Sequence, residues 1–114
     1  MKKPYSFVRL SEYVGDDKNQ IAQMISLFLD TIPDDVNKIE EYGDKGNWQK
    51  VNKIAHRIKP SFEVFEMEEI LTDIREIERL AHDNDKDGEL IHLIKVLVKK
   101  FKEIVLLLKT EMIQ

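Results

Sequence analysis

The chain predicts an all-α fold, an up-down four-helix bundle with a short additional N-terminal helix. Three observations lead there. Apolar residues recur at three- and four-residue spacing along nearly its whole length. No sustained two-residue alternation, and no Asn-Gly or Asp-Gly hairpin between β-branched runs, marks a strand. The periodic stretches are separated by short polar or glycine-bearing segments, and 114 residues hold one core but not two, so residues 1–114 read as a single domain.

The elements follow in order. Leu10, Tyr13 and Val14 predict a short first helix ended by Gly15. Asp16 or Asp17 can cap a long helix carrying Ile21, Ile25, Phe28, Ile32, Val36 and Ile39, with Pro33 placed to kink it and Gly43 and Gly46 to close it. Asn47 caps the next helix, whose apolar residues Trp48, Val51, Ala55, Ile58, Phe62 and Phe65 are spaced 3, 4, 3, 4, 3. That rhythm would continue onto polar residues, whereas the apolar stripe restarts as Met67, Ile70, Ile74, Ile77 and Ala81. The phase jump at Glu66 predicts a tight turn between two antiparallel helices. A polar loop from Asp83 to Gly88 then leads into a last helix bearing Leu90, Ile94, Leu97, Phe101, Ile104 and Leu108.

Composition removes several function classes. A net charge of -4, with no basic stripe, argues against nucleic acid as a partner. The chain has no cysteine, which excludes disulfides, thiol catalysis and thiolate metal sites. Lys2 and Lys3 are not followed by an apolar run, and the greasiest segment, Leu90 to Leu108, is interrupted by Lys95, Lys99, Lys100, Lys102 and Glu103. Neither a signal peptide nor a membrane span is expected, and the expected location is the cytoplasm. A self-contained bundle predicts a monomer.

The segment Ala55-His56-Arg57-Ile58-Lys59-Pro60-Ser61-Phe62 carries the chemistry. On a helical wheel His56 lies roughly 130° from the centre of its helix's apolar stripe and Lys59 roughly 70° from it. His56 therefore points away from the core, with Asn52 and Glu63 on its side of the cylinder and Lys59 one turn on. A titratable nitrogen beside a fixed cation suits transient possession of an anion such as a phosphoryl group.

Ala-His-x-aliphatic-Lys-x-Ser on the second of four bundle helices resembles the histidine-containing phosphotransfer (HPt) domain of two-component phosphorelays. Ala55, His56, Ile58, Lys59 and Ser61 match its motif. Phe28-Leu29-Asp30, Pro33-Asp34 and Gly46-Asn47-Trp48 look like its preceding helix and turn, and Leu71 to Glu78 resembles its next helix, so the likeness covers roughly residues 7 to 108. It implies that His56 accepts a phosphoryl group on Nε2 from a receiver-domain phospho-aspartate and passes it to another receiver aspartate. Lys59 would counter the phosphoryl charge and Ser61 would hold the same region. The implied partners are receiver domains of response regulators and of hybrid histidine kinases, contacting the face around His56 with Asn52, Arg57, Pro60, Glu63 and Val64 at its edges. The chain would hold no cofactor of its own; Mg²⁺ would be held by the partner receiver domain. No Gly-rich nucleotide loop appears, so the expected role is a phosphocarrier and not an autonomous kinase.

Two residues depart from the family pattern. Pro60 and Glu66 stand where glycines are common. Pro60 deletes the N–H that would bond the His56 carbonyl, and Glu66 falls at the turn, where glycine is required only for a positive φ. Other motifs fail. Asp83-x-Asp85-x-Asp87-Gly88 copies the first half of a calcium loop, but the position for its bidentate glutamate is Ile94, and a helix cap at Asp85 or Asp87 explains the same residues. His82 and His92 lie in no zinc-ligand spacing. The competing reading is a non-catalytic four-helix interaction or scaffold protein in which His56 is an idle surface histidine.

Overall fold

A computed structural model gives the arrangement of residues 3–84 and 88–113. Among them are five helices and no strand: α1 (Val8–Val14), α2 (Lys18–Asp44), α3 (Trp48–Val64), α4 (Glu68–His82) and α5 (Leu90–Ile113). Helices α2 to α5 pack around a ring, α2 on α3, α3 on α4, α4 on α5 and α5 back on α2, while α1 rests on α2. This is the all-α bundle with its additional N-terminal helix.

Each predicted stripe faces the centre. Phe28 of α2, Phe62 of α3 and Phe101 of α5 are buried together, with ring centroids 5.9 to 6.1 Å apart. Such spacing adds to the transfer free energy of burial, about 1.5–3 kcal/mol for a large apolar side chain. No polar or charged residue is buried among the described residues. Ile94, the twelfth position of the calcium-loop reading, belongs to this core. The cap expected of Asp85 or Asp87 lies outside the described residues. The short first helix forms and ends at Gly15 as expected, with Leu10 buried and Tyr13 exposed. One expectation changes. Gly43 lies inside the last turn of α2 instead of closing it, and a Cβ there would come 2.8 Å from Ile94 Cδ1, so the Ile94 side-chain end would have to shift.

The helix ends explain the connections. The Asp17 carboxylate accepts from the Asn19 N–H at 2.8 Å, and the Asn47 side chain accepts from the Lys50 N–H at 3.2 Å, so the caps fall at predicted positions. Helix α2 stops in a Schellman motif, with the N–H of Asn47 donating to the Tyr42 carbonyl, that of Gly46 to Gly43, and Gly46 at φ +71°. Helix α3 stops in the same motif. Met67 donates to Phe62 and Glu66 to Glu63, but the left-handed position is taken by Glu66, at φ +51°.

A non-glycine residue in that conformation costs about 1–2 kcal/mol. The Glu66 side chain offsets part of it by accepting from the Arg9 N–H in the first turn of α1 at 3.3 Å. Arg9 Nη1 donates in turn to the Glu63 carbonyl at 3.3 Å, and the Ser6 N–H to the Phe65 carbonyl at 3.0 Å. The departure from glycine thus ties α1 to the α3–α4 turn.

Substitution separates strain from contact. In urea unfolding, Glu66→Ala keeps the left-handed backbone and loses the bond to Arg9, whereas Glu66→Gly loses the bond and relieves the backbone. Glu66→Gly is expected to be more stable than Glu66→Ala by about 1 kcal/mol. Equal stability of the two would show that Glu66 bears no strain.

Candidate functional site

Asn52, His56 and Lys59 are spaced four and three apart on α3, so they form one polar stripe beside the buried Val51, Ala55 and Ile58. Antiparallel to it, α4 buries Leu71, Ile74, Ile77 and Ala81, and Glu78 stands at the edge of that stripe. The two helices pack, and all three polar residues of α3 converge on Glu78. His56 Nδ1 lies 2.8 Å from Glu78 Oε1, Lys59 Nζ donates to Glu78 Oε2 at 3.0 Å, and Asn52 Nδ2 donates to the Glu78 main-chain carbonyl at 2.7 Å.

Protonation follows from these contacts. Burial on its own pushes the Glu78 carboxyl up. Hydrogen bonds from Lys59 and His56, with their charges, outweigh it and hold the group below its ordinary value, so it is ionised at neutral pH. An ionised carboxylate only accepts, so the Nδ1 facing it carries the proton. In the neutral imidazole Nε2 then holds the free lone pair, at a side chain that is 70% exposed. Glu78 and Lys59 are far less open, at 22% and 25%. A half-buried carboxylate thus fixes the ring through Nδ1 and leaves Nε2 without a part in that contact, on an exposed side chain.

The remaining residues predicted for the site divide. Arg57 turns toward α2 and pairs with Asp35 at 2.8 Å. Pro60 is exposed within an uninterrupted α3, so the missing N–H leaves the His56 carbonyl without its usual intrahelical donor but does not end the helix. Among the described residues Ser61 has no side-chain hydrogen-bond partner, and it does not join the Glu78 cluster. Its carbonyl serves the end of α3, accepting from Phe65. Glu63 is partly buried and engages α1 through its carbonyl. Val64 packs against the core, which limits what it can offer a partner.

Sequence reasoning missed Glu78. It lies 22 residues from His56, a separation that no local motif reports. The available signal was phase: Leu71, Ile74, Glu78 and Ala81 are spaced 3, 4, 3, so a carboxylate occupies a stripe position opposite the polar face of α3. No group of three or more metal-ligating side chains occurs among the described residues, and no described helix is long and apolar enough to cross a membrane.

Compared with known proteins, residues 23–111 match the family model of the Hpt domain. That span contains α3, α4, α5 up to Glu111 and α2 from Gln23 onward. No curated protein and no solved structure matches the chain significantly.

Two results are expected from Glu78. Nitrogen-15 NMR of neutral His56 should show the proton on Nδ1, and Glu78→Ala should return the ring to a mixture of tautomers; an unchanged ratio would refute the assignment. A carboxyl whose folded pKa lies below its unfolded value adds stability above the unfolded value and loses it as pH falls through the folded one. The excess stability of the native chain over Glu78→Gln should therefore be present at pH 7 and close as pH drops below the ordinary glutamate value of 4.5. A gap that widens on acidification would contradict the shift.

Proposed function

The chain belongs to the Hpt domain family, and on that premise we propose that His56 is the residue through which it carries phosphoryl groups. The family serves histidine phosphotransfer in two-component phosphorelays, with receiver domains as partners. One observation carries the assignment to His56: its Nδ1 is held at 2.8 Å by an ionised Glu78, on a side chain that is 70% exposed.

The proposed reaction balances without a co-reactant. Nε2 attacks the phosphorus of a receiver phospho-aspartate; the N–P bond forms as the P–O bond to the aspartyl carboxyl breaks, and the aspartate leaves as a carboxylate. The imidazole gains positive charge as its lone pair is used. Glu78, already bonded to Nδ1–H, stabilises that charge without moving a proton, much as a buried carboxylate steadies the imidazolium of a catalytic triad. Lys59, on the second oxygen of Glu78, lies within one turn of His56 and can turn part of its charge toward the phosphoryl oxygens. Transfer onward is the reverse step on a second receiver. The chain contributes the nucleophile and its alignment; Mg²⁺, which neutralises the phosphoryl oxygens, is proposed to come with the receiver. A cytoplasmic location belongs to the same proposal.

The idle-histidine reading has less support. An idle surface ring needs no ionised partner, whereas this one shares a carboxylate with a neighbouring lysine.

The test is transfer itself. Incubation with a phosphorylated receiver domain should leave acid-labile, base-stable label on the chain. His56→Ala should abolish it, and Lys59→Ala should slow its appearance by about tenfold. Label that persists in His56→Ala, or that appears with no receiver in a broad panel, would refute the proposal.

A further inference from the structure

On the flank of α3 away from Glu78, a cleft of about 360 Å³ runs along the seam with α2. Lys38 and Tyr42 of α2 and Lys50, Lys53, Ile54 and Arg57 of α3 line it, and no carboxylate does. Building on the phosphotransfer reading, we propose that this cationic cleft docks a carboxylate-rich rim of the receiver and governs how quickly the receiver finds His56.

Charge is distributed to keep the cleft positive. The whole chain is at -4, yet the cleft is lined by Lys38, Lys50, Lys53 and Arg57 and by no carboxylate. Three acidic residues in the last two turns of α2 pair with lysines outside the cleft. Glu40 and Asp44 both pair with Lys95 of α5, at 3.1 Å each, and Glu41 pairs with Lys45 at 3.1 Å. Asp35 pairs with Arg57 and offsets that one cleft cation, and Asp34 lies four residues before Lys38 on the same helix. Among the described residues Lys38, Lys50 and Lys53 have no carboxylate partner, and Lys50 Nζ sits 4.8 Å from the centroid of the Tyr42 ring, a cation–π contact that keeps it at the cleft wall.

The position suits a partner of His56. Lys50, Lys53 and Arg57 are spaced three and four apart, so they form one stripe; Arg57 adjoins His56 and Lys53 precedes it by a turn. A protein that binds a hard divalent cation beside a phosphorylated aspartate must gather carboxylates around that position. Its acidic rim would meet the cleft as its phosphoryl group meets Nε2. Individual exposed ion pairs add little affinity. A like-charged row instead accelerates encounter, by 10-fold to 1000-fold in strongly steered pairs, with an effect that salt screens. The cleft should therefore act on the second-order rate of transfer and on the receiver concentration needed.

The experiment follows single-turnover transfer from whichever phosphorylated receiver labels the chain fastest, over a range of receiver and salt concentrations. Lys38→Glu/Lys50→Glu/Lys53→Glu should lower the second-order rate constant about tenfold or more at low salt and flatten its salt dependence. Lys99→Glu/Lys102→Glu/Lys109→Glu makes the same charge change on α5 and should lower it less than threefold. Circular dichroism checks that both variants remain folded. Equal losses in the two variants, or no loss in the first, would overturn the cleft while leaving His56 transfer standing; absence of label on the unaltered chain would overturn both.

Discussion

The site depends on one carboxylate. Glu78 joins α3 to α4 through three contacts: its main-chain carbonyl holds Asn52, and its two carboxylate oxygens hold His56 and Lys59. Moving a carboxylate partly out of water is unfavourable, and the lysine and histidine bonds more than compensate, since the net shift favours the ionised form. The same bonds that make the burial tolerable orient the imidazole. Packing and chemistry are therefore one interaction seen from two sides, and removing the carboxylate would release both.

That interaction requires α3 and α4 to meet at a fixed register, which the three-residue connection Phe65–Met67 sets. A Schellman motif reverses the chain there, with Phe62 and Met67, both fully buried, as its closing hydrophobic pair. Glycine would serve the left-handed position without strain, as Gly46 does one connection earlier. Glu66 instead accepts strain and uses its side chain to hold α1 over the turn. The turn beneath the site and the N-terminal lid are thus mechanically linked.

Much of this was legible in the sequence because it is local. The 3, 4 rhythm from Trp48 to Phe65 and its break at Glu66 located the hairpin, and Asp17 and Asn47 marked helix starts by their capping chemistry. Helical phase also put Asn52 and His56 on one exposed side. What escaped is non-local or depends on backbone sign. Glu78 reaches His56 only through packing of two helices, the positive φ of Glu66 is set by the motif that closes α3, and Gly43 reads as a helix stop until the approach of Ile94 is known.

The central claim is that Glu78 holds the proton on Nδ1 of His56 and leaves Nε2 to take the phosphoryl group. Phosphorus–nitrogen NMR of the nitrogen-15-labelled chain after receiver-dependent phosphorylation tests it most directly. The account predicts a single phosphohistidine at His56, with phosphorus coupled to Nε2 and Nδ1 still protonated. Phosphorus on Nδ1, or on any other residue, would contradict it.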